Sequence, residues 1–376
     1  MRHFHRIMLV LGIVAMLIGC SKRTDDIVIG AYFPLTGGTA TWGEMGKKAI
    51  DIAVDELNAS GGLLGKKVRM VYEDDQSLPE QAKIAVLKLI KQHKVVALIG
   101  EFASSRTLAA APEAQRHQIP MISPYSTNPK VTEVGDYIFR VCYIDPFQGG
   151  AMARFTVETL GLKRIAILKD IKNDYSVGLA DFFTQTLKEL GGTVVAEAAY
   201  SEGDVEFRSQ LTQLKTSNPE AIYIPGYYTE VGLIARQARE LGLTVPLMGG
   251  DGWDSPKTVE IGGDATNGTY FTASFAVDDP NPLGREFSKK FKDRFGIDPD
   301  GTAAVSFEAA TVLFDAIRRA GSTDGPALRD ALADTKNFEG VSGRFTLDAQ
   351  RNAIKRIVIM TIHNGALKFN SAVEPS

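Results

Sequence analysis

From residue 27 onward, the chain alternates between short apolar runs and longer amphipathic segments, with a repeat of roughly 30 residues that is typical of alternating strands and helices. The run IVIGAYF, Ile27–Phe33, predicts a strand, and the segment Glu44–Ser60 has the apolar spacing of an amphipathic helix. The run VVALIG, Val95–Gly100, is continuously apolar, as expected for a parallel strand that is buried on both faces. This alternation predicts an α/β fold in which helices cover parallel sheets.

The alternation runs through two similar series of segments. The second series begins with the strand-like run GLKRIAILKD, Gly161–Asp170, and the two series divide near Arg140–Pro146. The tail contains helical patterns over residues 282–295, 302–320 and 326–334, followed by the strand-like runs GRFTLD, RIVIMTIH and ALKF. Two such series predict two lobes that face each other across a cleft, because ligands of open parallel sheets bind beyond the carboxyl ends of the strands.

The composition and the motif content of the chain argue against several classes of protein. With 44% hydrophobic and 23% charged residues the composition is ordinary for a globular protein, and a net charge of −3 without a basic stripe gives no indication of nucleic-acid binding. The sequence lacks a G-x-S-x-G elbow, an H-E-x-x-H motif and a cysteine pair for a metal. We therefore expect a protein that is not an enzyme and that uses no metal or cofactor.

The N-terminus has the pattern of a bacterial secretory signal. A basic start, MRHFHR, precedes the apolar run Ile7–Gly19, which is too short to span a bilayer comfortably and is followed directly by Cys20. The ending LIGC resembles the lipobox of bacterial lipoproteins, which implies a signal peptide over residues 1–19 and a lipid on Cys20. The alternative is a signal anchor with an incidental cysteine. If Cys20 is lipidated, Cys142 is the one remaining thiol, and we expect it to be buried.

Polar and aromatic residues follow the predicted strands, at the positions where the cleft should open. In the first series they are Trp42, then Glu101, Phe102, Ser104 and Ser105, and then the segment Ser123–Pro129, which contains Tyr125 and Thr127. In the second series they are Tyr175, Tyr227 and Asp251. This division suits a zwitterion, whose carboxylate would meet hydroxyls and helix-start amides in one lobe while its ammonium reaches the carboxylate of the other.

Each of these residues also has a structural explanation that involves no ligand. Ser104 and Ser105 are of the residue type that often caps a helix, and Asp251 in GGDGWD suits a turn. The tyrosines could pack at a lobe surface, and Trp42 could cover the edge of a sheet. The pattern by itself leaves these alternatives open.

Taken together, these segments resemble the leucine/isoleucine/valine-type periplasmic binding proteins that serve ABC importers. The segment Ile27–Ala82, with PLTG, GKKAIDIAVDELNASGG and YEDDQS, resembles the opening of these proteins, and IGEFASSRT, IPMISPYSTNP, DYSVGLA, YYTEVGLIARQARELGL and LMGGDGW continue the resemblance in order. It extends from Asp25 to about Phe369. The resemblance implies a type I periplasmic binding protein, with two Rossmann-like lobes, three crossover strands and a central ligand cleft.

The resemblance also implies a division of the chain into segments. The crossover strands are expected near Arg140–Asp145, Phe271–Asp278 and Phe345–Gln350. The N-terminal lobe then comprises residues 26–141 and 276–344, and the C-terminal lobe comprises residues 142–275 and 345–370. Residues 20–25 form a linker from the lipid anchor, which places the protein in the cell envelope on the periplasmic or another extracytoplasmic face.

The function implied by the resemblance is capture of an amino acid by hinge closure and its delivery to the permease of an ABC importer. The ligand is expected to carry a branched-chain or similar aliphatic or aromatic side chain, and the protein is expected to act as a monomer. The alternative is a sensor or receptor module for an amino acid, an amide or an ω-amino acid. A sensor would need an output domain or a partner surface.

The resemblance assigns roles to the strand-end residues. It places the ligand carboxylate at Ser104 and Thr127, with help from the Tyr125 backbone, and the ammonium at Asp251 and the Tyr125–Thr127 segment. It makes Tyr175 and Tyr227 aromatic covers of the ligand and Trp42 a wall of the side-chain pocket, and Phe102 and Ser105 complete the expected set.

Three positions depart from the family pattern. Asp251 stands where amino-acid-binding members often have glutamate, so its reach is one methylene shorter. Tyr125 is larger than the usual small residue, which narrows the pocket or selects a different side chain. Ala103 stands where some members have a disulfide cysteine, so that bridge cannot form.

Overall fold

The computed structural model describes residues 26–375, so the predicted signal peptide 1–19, Cys20 and the linker 20–25 lie outside the described residues. The first of two large sheets has five parallel strands in the order β2–β1–β3–β4–β5. They are β1 Ile27–Phe33, β2 Val68–Asp74, β3 Ala97–Ile99, β4 Met121–Ser123 and β5 Ile138–Arg140. Strands β3, β4 and β5 are buried at every residue, as expected for an apolar parallel sheet covered on both faces.

Helices lie on both faces of each large sheet. In chain order they are α1 Ala40–Ala59, α2 Pro79–Lys91, α3 Ser104–Arg116, α4 Lys130–Glu133, α5 Asp145–Arg154, α6 Asp174–Glu189, α7 Arg208–Thr216, α8 Tyr228–Glu240, α9 Pro256–Gly262, α10 Pro282–Phe295, α11 Gly301–Ala320 and α12 Gly325–Ala333. Helices α1–α4 and α10–α12 pack with the first sheet and form the first lobe, and α5–α9 pack with the second sheet and form the second lobe.

The second sheet has seven strands in the order β15–β14–β10–β9–β8–β6–β7. Its strands are β6 Arg164–Asp170, β7 Thr193–Tyr200, β8 Ala221–Tyr223, β9 Leu247–Gly249, β10 Tyr270–Ala273, β14 Ile357–His363 and β15 Ala366–Val373. Strands β6–β10 pair in parallel, whereas β14 and β15 add an antiparallel edge. The predicted α/β fold with parallel sheets is therefore confirmed, with two antiparallel strands added in the second lobe.

The chain passes between the lobes after β5, after β10 and before β14. A small antiparallel sheet, with β11 Phe338–Gly340, β12 Gly343–Leu347 and β13 Ala353–Ile354, precedes the third passage. The predicted crossing at Phe345–Gln350 falls on β12 and the turn after it, and Arg140 N–H of the first lobe donates to the Arg351 carbonyl at 3.2 Å. The lobe boundaries stay a prediction, and this contact favours placing residues 345–352 beside the first lobe.

Most predicted elements are present, and two helices of the second lobe were missed by the sequence analysis. The first is α5, which continues into a π-helical turn at Phe155–Thr159. Its glycines weaken the helical pattern, yet Gly149 is needed because a Cβ there would lie 2.8 Å from the Phe183 backbone nitrogen of α6. The second is the seven-residue α9, which is too short to show a clear period.

Cys142 lies two residues beyond the end of β5 and is a free, fully buried thiol. Its predicted burial is confirmed, and burial raises the pKa of this thiol to about 12. Among residues 26–375 there is no helix that is long and apolar enough to cross a membrane.

Candidate functional site

The carboxyl ends of the parallel strands of both lobes face each other across a small cavity. The side chains and backbone that line it belong to Trp42, Phe102, Tyr125, Tyr175, Tyr227, Asp251 and Gly252. All of these except Gly252 are residues that the sequence analysis selected. The cleft therefore brings together six candidates that are spread over more than 200 residues of the chain, between positions 42 and 251.

Each lining side chain is placed by the end of a strand or the start of a helix. Phe102 and Tyr125 follow β3 and β4 in the first lobe, and Trp42 is in the first turn of α1. Tyr175 is in the first turn of α6 in the second lobe, and Asp251 begins a short 3-10 turn directly after β9. The open end of a doubly wound sheet is the usual ligand site for this architecture.

Aromatic rings from both lobes form a continuous wall of the cavity. Tyr175 and Tyr227 stack with their ring centroids 5.4 Å apart, and Trp42 meets Tyr227 edge to face at 5.0 Å. Phe102 lies against Trp42 at 6.4 Å and stacks on Phe33 at 4.7 Å. Such geometries favour aromatic packing, and they give the cavity an apolar surface suited to a hydrocarbon side chain.

The carboxylate of Asp251 is the acidic group of the cavity. The residue is only 4% exposed, and its Oδ2 atom lacks a hydrogen-bond partner of normal geometry among the described residues. Burial raises the pKa of Asp251 to about 6, although hydrogen bonding from Gln148, Tyr175 and Tyr143 opposes the rise. A buried carboxylate that keeps a free oxygen is unfavourable unless a cation or donor meets it.

Ser104 and Thr127 lie close to each other in the first lobe, since Asn128, the residue after Thr127, donates its backbone N–H to the Ser104 hydroxyl oxygen at 3.1 Å. Ser104 is the first residue of α3, and among the described residues its hydroxyl accepts a hydrogen bond without donating one, so its proton remains available to another acceptor. The Thr127 hydroxyl is fully buried and lacks a hydrogen-bond partner of normal geometry within residues 26–375, although it lies close enough to the Asp145 carboxyl group to oppose the rise in the pKa of that group. Their roles toward a ligand stay predictions.

Ser105 makes a different contact from the one expected of a helix cap or a cavity residue. Its hydroxyl donates to Asp174 Oδ2 at 3.1 Å and accepts from the Asp174 backbone N–H at 2.9 Å. Asp174 is the first residue of α6, so a serine of the first lobe bonds to a helix start of the second lobe. Ser105 therefore joins the lobes at the cleft and does not line the cavity.

Several residues of the cleft were not selected from the sequence. Arg106 is buried, forms an ion pair with Glu101 (Nε–Oε1 3.0 Å), donates to Thr39 Oγ1 at 2.9 Å and lies over the Tyr227 ring. Asp254 of the second lobe accepts hydrogen bonds from Trp42 Nε1 and from the Gly301 N–H, which both belong to the first lobe. The sequence contains one signal that could have identified Arg106. It is a single arginine in the first turn of a helix that follows a buried strand.

No group of three or more His, Cys, Asp and Glu side chains within residues 26–375 could hold a metal ion. The polar groups of the cavity are instead a carboxylate, tyrosine hydroxyls and backbone amides. Such groups bind a small charged solute through hydrogen bonds and ion pairing.

Comparison with known proteins identifies the family. A family model described as periplasmic binding protein matches residues 26–366. The Leu/Ile/Val-binding protein BraC3 of Rhizobium johnstonii is 33% identical over 337 residues, which cover 89% of this chain and 90% of that protein. The chain therefore belongs to the periplasmic binding protein family, as the sequence resemblance predicted.

Solved structures agree with this assignment. The leucine-binding protein LivK from Thermotoga maritima superimposes with a TM-score of 0.90 at 41% identity, covering 93% of this chain and 99% of that one. LivJ from Streptococcus pneumoniae, a branched-chain amino acid transporter substrate-binding protein in complex with isoleucine, has a TM-score of 0.87 at 32% identity and covers 92% and 98% of the two chains. The fold is type I, and the protein is a solute-binding protein and not an enzyme.

Proposed function

We propose that this protein captures an amino acid with an aliphatic, branched side chain in the cleft between its lobes and delivers it to an ABC importer. The names of similar proteins support this ligand class, since BraC3 is a Leu/Ile/Val-binding protein and LivJ is in complex with isoleucine. The observation that carries the proposal is a buried carboxylate, Asp251, with an unpartnered oxygen in an otherwise aromatic cavity.

Asp251 is the proposed partner of the ligand ammonium. A cation at this position would satisfy Oδ2 and would lower the raised pKa of the carboxyl group, because an opposite charge favours the ionised form. Loss of one partner of a buried ion pair typically costs about 3–5 kcal/mol, so this contact is worth more than any single neutral hydrogen bond in the cleft.

The proposed carboxylate partners are the hydroxyls of Ser104 and Thr127 together with the start of α3. The 13-residue helix begins at Ser104, and its first N–H groups carry a partial positive charge that favours an anion by about 0.3–1 kcal/mol. Ser104 has a free proton and Thr127 an unpartnered hydroxyl, so both can donate to a carboxylate. The ligand side chain would then face the aromatic wall formed by Trp42 and Phe102.

The proposed mechanism is closure of the two lobes over the ligand. Hydrogen bonds already cross the cleft: Thr229 Oγ1 donates to the Gly38 carbonyl at 2.7 Å, and Asn128 Nδ2 donates to the Asp174 carbonyl at 2.8 Å. Thr41 N–H donates to the Tyr228 hydroxyl at 3.2 Å. A ligand that contacts both lobes stabilises this closed arrangement relative to an open one, which the importer can then distinguish.

Replacement of Asp251 tests the function. We expect the wild type to bind leucine, isoleucine or valine by calorimetry and Asp251→Ala to weaken that binding roughly 100-fold or more, because the ammonium loses its buried partner. The matched control is Asp181→Ala, at an exposed position of α6. Small-angle scattering should show a smaller radius of gyration with ligand in the wild type and in the control.

Two outcomes would contradict the proposal in different ways. If the wild type binds none of these amino acids, the ligand class is wrong. If Asp251→Ala binds them as tightly as the wild type does, the ligand class stands but the ammonium lies elsewhere.

We further propose that a lipid on Cys20 tethers the protein to the membrane near the importer. The apolar run Ile7–Gly19 and the cysteine that follows it support this proposal. Mass spectrometry of the N-terminal peptide from the expressed protein should show diacylglycerol on Cys20, and Cys20→Ser should shift the protein from the membrane fraction to the aqueous one. Retention of Cys20→Ser in the membrane fraction by an uncleaved N-terminus would favour the signal-anchor alternative.

A further inference from the structure

Asp254 lies three residues beyond Asp251 and outside the cavity, yet it is only 2% exposed. It ends the short turn Asp251–Trp253 of the second lobe. Three groups of the first lobe surround it: the Trp42 indole, the Tyr125 hydroxyl and the first N–H of α11 at Gly301. The partners that this buried carboxyl group needs therefore come from the other lobe, and this arrangement requires an explanation.

The contacts of Asp254 fix two of the rings that line the cavity. Its backbone carbonyl accepts from Trp42 Nε1 at 3.1 Å, and its Oδ2 accepts from Gly301 N–H at 3.1 Å. The Tyr125 hydroxyl lies beside the same carboxylate and also accepts from Ser274 N–H at 3.0 Å. Trp42 and Tyr125 are thereby held from their polar ends while their ring faces border the cavity.

These contacts join the two lobes, because Asp254 lies in the second lobe while Trp42, Tyr125 and Gly301 lie in the first, and we expect them to break when the lobes separate. When the lobes separate, the indole and the phenol lose their shared partner. The shape of the side-chain part of the cavity is therefore completed by closure and is not a fixed property of either lobe.

We propose that the Asp254 side chain is a positioning group that sets side-chain selectivity, by fixing the Tyr125 hydroxyl in the closed cleft so that the cavity accepts side chains of limited size. Trp42 binds the backbone carbonyl of the same residue, so substitutions of the Asp254 side chain keep the Trp42 contact. This inference rests on the proposed function, because it assumes that the cavity receives an amino-acid side chain. It assigns Asp254 a role separate from that of Asp251, which faces the ammonium. Neither residue takes part in any bond-making step.

The electrostatic surroundings of Asp254 combine one favourable contact with two unfavourable effects. Its carboxylate meets the start of the 20-residue helix α11, where N–H groups favour negative charge. Burial and the neighbouring Asp300 raise the pKa of Asp254, whereas the Gly301 N–H and the Tyr125 hydroxyl oppose the rise. Asp300 uses its own Oδ1 to cap α11 through Ala303 N–H at 2.9 Å, which leaves the Gly301 N–H to Asp254.

Gly301 provides an independent way to disturb this contact. A Cβ on Gly301 would overlap Asp254 Oδ2 and would lie 2.9 Å from the Tyr125 hydroxyl oxygen. The residue is helical, so alanine is compatible with the backbone and has the higher helix propensity. Gly301→Ala should therefore leave the first lobe folded while it displaces the carboxylate from the closed cleft.

The test is a calorimetric comparison of leucine, isoleucine, valine, alanine and phenylalanine binding to the full-length protein. Asp254→Ala and Gly301→Ala should each raise the affinity for phenylalanine relative to isoleucine about tenfold, which is the range expected when one side-chain pocket loses its shape. Asp254→Asn keeps an oxygen acceptor and should retain most of the wild-type ratio. The control is the adjacent Ser255→Ala, which removes the cap on Lys257 N–H (3.2 Å) and should lower thermal stability without changing the ratio.

The ratio of affinities separates a positioning role from a structural one. The inference is overturned if Asp254→Ala and Gly301→Ala weaken all five ligands by a common factor or leave them unchanged. If the wild type binds none of the five, the proposed function fails and this inference fails with it. If the wild type binds them and Asp251→Ala abolishes binding, but the two variants keep the wild-type ratio, only the role of Asp254 is wrong.

Discussion

At the scale of single residues, Ser104 and Ser105 show how neighbours of one type acquire different contacts. The sequence offers two serines after a strand, and either can cap the helix that follows. In the structure neither serine side chain caps that helix. The Ser104 hydroxyl bonds to Asn128 in its own lobe, and the Ser105 hydroxyl bonds to Asp174 in the other lobe. Successive helical residues point about 100° apart, so only one of the two can face the region of Thr127.

Replacement of each serine should therefore give a different result. Ser104→Ala should weaken amino-acid binding by about 1–3 kcal/mol, because the ligand carboxylate loses a buried donor. Ser105→Ala should weaken binding by about 1 kcal/mol and accelerate dissociation, because it removes a bond that exists only in the closed form. Calorimetry and stopped-flow fluorescence measure the two effects.

The control for this pair is Ser322→Ala, a serine that precedes α12 outside the cleft. If Ser104→Ala lowers only the thermal midpoint and binds ligand normally, Ser104 has a structural role. If Ser105→Ala leaves the dissociation rate unchanged, its bond to Asp174 does not limit opening.

At the scale of elements, the cleft is built from very short strands, each followed within a few residues by a helix or a turn. Strands β3, β4, β8 and β9 have three residues each, so the chain reaches the cleft edge soon after leaving the core. Such short strands carry little periodicity, yet their apolar runs and the residues after them were enough to predict most of the residues that line the cavity. Helix α3, for example, begins at Ser104, only five residues after the buried strand β3 ends at Ile99.

Pro112 lies inside helix α3, where a proline is normally unfavourable. Helix α3 runs through it from Ser104 to Arg116, and the proline is exposed. A proline inside a helix lacks the N–H that would bond to the carbonyl four residues earlier, here that of Leu108. Its exposed position keeps the ring away from the buried alanines of α3, which pack on the sheet.

At the scale of the whole molecule, the fold buries several acidic side chains. They include Asp75, Glu101, Asp145, Asp251, Asp254 and Asp300. Burial raises the pKa of each of these groups, to about 8 for Asp145. The folded state therefore binds more protons than the unfolded chain in the range between the unfolded pKa, about 3.9, and the folded one.

This proton balance predicts how stability depends on pH. A carboxyl group with a raised folded pKa contributes most below its unfolded pKa, and that contribution is lost as pH rises through the folded pKa. The thermal midpoint of the ligand-free protein should thus fall as pH rises from 5 to 8. Asp145→Asn should reduce this fall, because it removes a carboxyl group that keeps its proton in the folded state but not in the unfolded chain. Each such group changes the free energy of unfolding by at most about 1.4 kcal/mol per pH unit.

The control for the pH prediction is Asp181→Asn, an exposed position that should keep the wild-type slope. Carboxyl groups with a lowered pKa, such as that of Asp74, lose their contribution only in more acidic solution, so they do not affect this window. A wild-type midpoint that rises between pH 5 and 8 would contradict the prediction.

By itself, the sequence determined the α/β class, the two-series organisation and six of the seven residues that line the cavity. It could do so because periodicity and strand-end position are local properties, and because the ends of parallel strands necessarily share one edge of a sheet. The tertiary structure alone decided which groups meet across the cleft. Trp42 and Asp254 are 212 residues apart, and their contact arises because the two lobes lie closed against each other. No local pattern encodes that closure, so the contacts of Ser105, Arg106 and Asp254 could not be read before the lobes were placed.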